Sequence, residues 1–421
     1  MSYIETLENA IHKNEIVQKK NKKKSLQLSL IELLENFIQE KKLVCYGGIA
    51  INNILPDNKK FYDEDLDIPD YDFFSPNAYE DAIELAKLFS NKGYENIEAK
   101  TAVIFGTYKV FVNFIPIADI TQIETGVFNS IQKASIKRNH ILYCPPTYLR
   151  MSLYQELSRP LGDISRWDKV YKRLTLLNEN IPLNYKDNCD LRGNIISNTD
   201  LNNTIYKKLK KIIVDNQCVL FGDYGLSFYK SFFPKKYQTQ IQNKKINQLF
   251  VLSESFNTIK ELLKSFPYEI NYIHHNIENK FMNDVYEVNI NNESFLYIFL
   301  TNSCQSYNQV YKNKKVFNIA TIDTILSIFY ALQFVTIDSI DKKNLLSYCY
   351  LLENIHSNNK TNVLRRFYLP CVGKQMTIED IKKDRNTKYK QLKNSKNSII
   401  FKKLFLKYQP KKKTLKKNKL L

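Results

Sequence analysis

An internal repeat constrains this chain more than any other feature. VCYGGIAINNIL at 44–55 aligns with VLFGDYGLSFYK at 219–230, so that Gly47 falls on Gly222. In the same order, DFFS at 72–75 matches FVLS at 250–253, AKLF at 86–89 matches LKSF at 263–266, and YE at 94–95 matches YE at 268–269. Offsets that stay between 174 and 178 describe one supersecondary unit used twice. Each copy begins as an apolar strand, turns at a glycine into a helix, and continues through a loop to a second strand. The expected class is α+β: two tandem modules with mixed sheets, each followed by helices.

Local patterns fill in this frame. Leu and Ile recur at helical spacing over 25–40, with Lys41 and Lys42 at the end that favours cations. A helix is expected from Pro76 to Lys92, with Ser75 as its N-cap. The stretch 94–121 is rich in Val, Ile, Phe and Tyr and reads as a hairpin of two long strands broken at GTY. Residues 147–178 return to a helical pattern. The expected segments are 1–40 helical, 41–135 the first module, 136–195 helical, 196–310 the second module, 311–380 helical, and 381–421 a basic tail.

The net charge of +19 is concentrated at that end, because 381–421 holds sixteen Lys and Arg residues and a single acid, Asp384. Such a segment attracts a polyanion by releasing its counterions, or is simply a solvated end. Seven widely spaced cysteines, with no C-x-x-C, argue against a zinc module and against a secreted disulfide framework. The N-terminal MSYIETLENAIHKNEI lacks the basic start and apolar run of a signal peptide. The longest apolar stretch, 319–337, is interrupted by Asp323 and Gln333 and reads as a buried helix, not a membrane span. A reducing, cytosol-like compartment is expected.

The residues that point to chemistry lie in the first copy. Gly47 and Gly48 stand at a strand-to-helix turn, where glycine lets a backbone approach phosphate oxygens and helix N–H groups face an anion. Asp70 and Asp72 alternate on a strand, so both project from one face roughly 6.5 to 7 Å apart, a spacing suited to a pair of cations. DLDI at 65–68 has the same form, but Pro69 breaks its run, and DYDFFS is the better strand. A third carboxylate is sought on the strand KVFVNFIPIADIT. Regular geometry favours Asn113, a poor ligand for Mg²⁺, whereas Asp119 lies six residues on and Pro116 offers a bulge; Asp119 is preferred and Asn113 stays open. In the second copy Gln248 and Phe250 replace Asp70 and Asp72, and Asp223 replaces Gly48, so only the first copy is equipped to hold metal. Arg166, Lys169 and Arg173 share a helical face and serve either as phosphate contacts or as a solvated basic face.

Together the glycine pair, the D-x-D strand, the later Asp, the altered second copy and the basic tail resemble the nucleotidyltransferase superfamily. CYGGIAINNIL, PDYDFFS, GTYKVFVNFIPIADIT and PPTYLRMSLYQELSRPLGDISRWDKVYKRL look like the poly(A) polymerase catalytic subunits of nucleocytoplasmic large DNA viruses. The resemblance implies untemplated transfer of AMP from ATP to the 3′-hydroxyl of viral mRNA with Mg²⁺ or Mn²⁺. It assigns Gly47 and Gly48 to the triphosphate, and Asp70, Asp72 and Asp119 to the metals. It also implies a host-cytoplasmic viral factory or the virion as location, no membrane, and either a homodimer or, as in poxviruses, a heterodimer with a processivity subunit. Uridylyl or mixed-nucleotide tailing is the nearest variant. A non-catalytic RNA-binding protein of the same fold is the other alternative, against which the intact acids speak.

Overall fold

In the computed structural model the strand-rich stretches form two eight-stranded mixed sheets, one in each of two units: Met1–Pro145 with Ile378–Leu421, and Pro146–Thr377. The structure describes all residues except 1–2, 26–27, 64–69, 186–188, 197–201, 247, 278–280, 356–361, 369 and 412–421.

The first unit comprises α1 (Tyr3–Ser25), α2 (Leu28–Glu40), β1 (Val44–Cys45), α3 (Gly47–Ile54), β2 (Tyr71–Ser75), α4 (Ala78–Asn91), β3 (Glu98–Thr101), β4 (Thr107–Val112), β5 (Ile115–Gln122), α5 (Thr125–Ala134), β6 (Ile136–Arg138) and β7 (Ile141–Tyr143). The second comprises α6 (Pro146–Leu157), α7 (Trp167–Asn180), α8 (Asn203–Asp215), β8 (Val219–Phe221), α9 (Gly222–Leu226), α10 (Lys235–Gln242), β9 (Leu249–Ser253), α11 (Phe256–Leu263), β10 (Ile270–His275), β11 (Val285–Ile290), β12 (Glu293–Leu300), β13 (Gln305–Lys312), β14 (Lys315–Ala320), α12 (Ile322–Ala331), α13 (Lys342–Glu353) and β15 (Cys371–Val372). The chain then rejoins the first unit as α14 (Ile378–Leu392), α15 (Ile399–Leu404) and β16 (Lys407–Tyr408).

Strand order shows why the sequence repeats. The first sheet reads β16-β3-β4-β5-β2-β1-β7-β6 and the second β10-β11-β12-β9-β8-β14-β13-β15. Apart from β16 and β15, seven strands follow one order in both. Pairing directions also agree: β2 runs parallel to β5 as β9 does to β12, β1 parallel to β7 as β8 does to β14, and β1 antiparallel to β2 as β8 does to β9. The expected α+β class is borne out.

Several local expectations are corrected. The GTY hairpin is a three-strand meander, because the tight turn falls at Asn113 and Phe114, with φ of 48° and 65°, while Gly106 closes the looser β3–β4 connection. Ser75 ends β2 and does not cap α4; its hydroxyl accepts the Asn77 N–H and donates to Asp81. The apolar stretch from 319 begins in β14 and becomes α12, every residue of which is buried. Among the described residues no helix is long and apolar enough to cross a membrane.

The basic C-terminal segment is part of a sheet as far as Tyr408. β16 pairs antiparallel with β3, matching Lys407 to Lys100 and Tyr408 to Ala99. Leu406 is buried; its N–H donates to Thr101 Oγ1 (2.8 Å) and its carbonyl accepts the Thr101 N–H (3.0 Å). Phe405 packs edge-on against Phe105, and Arg385 donates to the Ala102 carbonyl at 2.6 Å. Apolar residues among the lysines thus cover what would be an open sheet edge.

Cys304 and Cys371 form a disulfide where β13 meets β15, while Cys45, Cys144, Cys189, Cys218 and Cys349 are free thiols. Alkylation of unfolded, unreduced protein followed by peptide mass spectrometry should modify those five and spare Cys304 and Cys371. Modification of all seven would contradict the pairing.

Candidate active site

The site is built on β2. Its buried face is pinned at both ends, by the Tyr71 hydroxyl donating to Glu35 of α2 and by Ser75 donating to Asp81 of α4. Alternation leaves Asp72 and Phe74 on the opposite face. Tyr46, the N-cap of α3, stacks on Phe74 with ring centroids 4.0 Å apart and donates its N–H to the Asp72 carbonyl at 2.9 Å. The Tyr46 hydroxyl is 2.9 Å from Thr121 Oγ1. Burial, then the Asp72 carboxylate, push its pKa up, which keeps it protonated.

Gly47 turns the chain from β1 into α3 with φ of +70°, a conformation that favours glycine. A Cβ there would lie 2.9 Å from Asp72 Oδ2, so the Asp72 carboxylate rests directly against the turn. Gly48, the next residue of α3, is buried. Tyr46 supplies no side-chain cap, so the first turn of α3 has no side-chain acceptor from that position. Asn52, buried in α3, accepts the N–H groups of Phe61 (2.9 Å) and Tyr62 (3.0 Å), fixing the loop that leads toward the acidic segment.

Strand register sets Asp119 of β5 directly beside Asp72. The register follows from a bulge. Val112 pairs with Ile115 and Phe111 with Pro116, but Val110 pairs with Ala118, so Ile117 is an extra residue. In a regular hairpin Asp119 would face Tyr108, on the buried side; the bulge turns it to face Lys109. Lys109 Nζ donates to Asp119 Oδ2 at 2.5 Å, while Asp119 Oδ1 is buried with no hydrogen-bond partner among the described residues.

The sequence-predicted residues are therefore only partly gathered. Gly47, Asp72 and Asp119 converge. Asp70 is exposed just before β2, and Asn113 lies in the β4–β5 turn, away from this face. Among the described residues no three His, Cys, Asp or Glu side chains are grouped closely enough to hold a metal; Asp65 and Asp67 lie outside those residues. Lys109 supplies the countercharge to Asp119. An all-carboxylate donor set with one buried, unpartnered oxygen nonetheless fits a hard cation such as Mg²⁺ or Mn²⁺. In the second unit, Arg166 forks onto Glu156 (2.8 and 3.2 Å), Lys169 is exposed, and Arg173 is half-buried.

Tyr46, Asn52 and Lys109 were not singled out from sequence. Asn52 carried a signal, as a polar residue inside the apolar run IAINNIL. Lys109 carried none, because its pairing depends on the bulge.

The second unit repeats the geometry with other chemistry. Gly222 has φ of +63°, and a Cβ on it would meet the Phe250 ring at 2.7 Å. The same one-residue shift in β12 pairs Phe250 with Tyr297 and Tyr297 with Glu287. Two aromatic rings, centroids 5.3 Å apart, replace the two carboxylates, and an acid replaces Lys109.

These glycines yield a stability prediction. Gly47→Ala should cost about 1–2 kcal/mol for the positive φ and displace the Asp72 carboxylate. Gly222→Ala should cost a further 1–3 kcal/mol or so, since its added methyl meets a packed ring rather than a side-chain tip. Denaturant unfolding of both variants tests this order; a costlier Gly47→Ala would contradict it.

Residues 32–163 match the family model described as poly(A) polymerase catalytic subunit. A protein of that name from African swine fever virus (strain Badajoz 1971 Vero-adapted) is 29% identical over 180 residues, covering 41% of this chain and 38% of the relative. One from Acanthamoeba polyphaga mimivirus is 31% identical over 159 residues, covering 37% of this chain and 27% of the relative. The chain thus spans less than two fifths of the length of these relatives. The crystal structure of the Megavirus polyadenylate synthase superimposes with a TM-score of 0.77 at 20% identity, over 96% of this chain and 84% of that one, which establishes the shared fold. The resemblance read from the glycine pair and the D-x-D strand is borne out.

Proposed function

Proceeding from this kinship with the viral poly(A) polymerase catalytic subunits, we propose that the chain is a template-independent polynucleotide adenylyltransferase. It transfers AMP from ATP to an RNA 3′-hydroxyl with Mg²⁺ or Mn²⁺. The observation that carries the reading is the register of Asp72 beside Asp119 against the Gly47 turn.

Asp72 and Asp119, with Asp70 as a further carboxylate, are the residues that would hold divalent cations. When bound, such cations would supply Lewis-acid activation of the attacking hydroxyl and charge stabilisation for the leaving pyrophosphate. The chain's own groups prepare the rest. Gly47 and Gly48 carry no side chain to obstruct a triphosphate at the start of α3. Lys109 holds Asp119 Oδ2 and leaves Oδ1 directed for another ligand. Tyr46, fixed by stacking and by Thr121, presents a rigid wall beside Asp72. Arg166, Lys169 and Arg173 of the second unit are phosphate contacts in this reading, and Arg166 must exchange Glu156 for a phosphate. The working partners are ATP and an RNA 3′ end, the compartment the host cytoplasm, and the working form a homodimer.

Extension of a labelled RNA with each nucleotide separately tests the activity. ATP should give a ladder that disappears with chelator and falls on the order of a hundredfold or more in Asp72→Asn and Asp119→Asn. A ladder with UTP instead would assign uridylyl transfer, and no extension with any nucleotide would overturn the reading.

A further inference from the structure

On the Asp72 face of the first sheet, one cross-strand rank passes from acid to base. Register places Asp72 beside Asp119, Asp119 beside Lys109, Lys109 beside Lys100, and Lys100 beside Lys407. With neighbouring strands about 4.8 Å apart, the three lysines extend over roughly 10 Å to the sheet edge. Ala99, Val110 and Ala118, the alternating residues, are fully buried on the other face. Lys109 and Lys100 keep 38% and 42% of their side-chain surface, and Lys407 is exposed. The Lys100 ammonium lies 4.2 Å from the Phe111 ring centroid and 2.9 Å from Glu98 Oε2.

Like charges directly opposite one another on neighbouring strands destabilise a sheet. This sheet nonetheless sets three in a row, and its last lysine arrives from the far end of the chain on β16. The glycine turn lies on the other side of Asp72, because β1 flanks β2 on the side away from β5. A triphosphate at Gly47 therefore leaves the lysine side for the second substrate.

We propose that Lys109, Lys100 and Lys407 form the track for the RNA phosphate backbone, running from the Asp72–Asp119 pair to the sheet edge. β16 thus extends the sheet and its charge together. The inference rests on the adenylyltransferase reading.

Binding of a labelled single-stranded RNA by the full chain, measured across a KCl series, tests it. For Lys100→Gln/Lys407→Gln the slope of log affinity against log salt should become shallower by about 1.4, since each single-strand phosphate contact contributes about 0.7. Lys100→Arg/Lys407→Arg should keep the wild-type slope, as should Lys133→Gln on α5, an exposed lysine outside the rank. An unchanged slope in the Gln pair, or an equal loss from Lys133→Gln, would overturn the track. If wild type extends RNA with ATP while the Gln pair keeps its slope, only this inference fails. If wild type binds no RNA, the functional reading fails with it.

Discussion

One extra residue in β5 decides which face of the first sheet carries Asp119. Pro116 and Ile117 shift the β4–β5 register so that Asp119 leaves the buried face and stands beside Asp72. Strand periodicity makes this all or nothing, since a shift of one residue exchanges the two faces. The close approach of Gly47 to Asp72 depends in turn on a backbone that accepts a positive φ. Bulge and glycine together bring a phosphate-compatible turn and two carboxylates to one place.

The second unit separates scaffold from chemistry. It keeps the strand order, the glycine turn and the bulge, yet holds Phe250 and Tyr297 where the first unit holds Asp72 and Asp119. The fold therefore does not need the carboxylates, and aromatic packing serves the same positions at no electrostatic cost. Charge in the second unit serves structure elsewhere. Arg150 of α6 meets Glu353 of α13 at 3.3 Å with both side chains buried, and Lys244 meets buried Asp223 at 2.5 Å. Such pairs hold elements in place once desolvated, because losing one partner leaves a buried charge.

Much of this was legible in the sequence where a local rule sufficed. The repeat, the strand-glycine-helix turn and the amphipathic helices each follow from spacing alone. What escaped depends on contacts distant in the chain. The turn at Asn113 and Phe114 lacks the usual Asn-Gly pair, so the sequence prefers Asp119 as the third ligand while Asn113 stays open. Sixteen cationic residues masked the few apolar ones, Phe405 and Leu406 among them, that seat the C-terminal segment on β3. Cys304 and Cys371 are 67 residues apart and meet only because β15 adds to β13.

The most direct test of the account is to count Mn²⁺ bound to the full chain in the presence of ATP by electron paramagnetic resonance, without asking for turnover. Wild type should hold Mn²⁺ that Asp72→Asn and Asp119→Asn each release, while Phe250→Leu, at the corresponding position of the second unit, should bind as wild type does. Equal Mn²⁺ binding by wild type and both Asp variants would show that the bulge-aligned pair is not the metal site, and the account would fail at its centre.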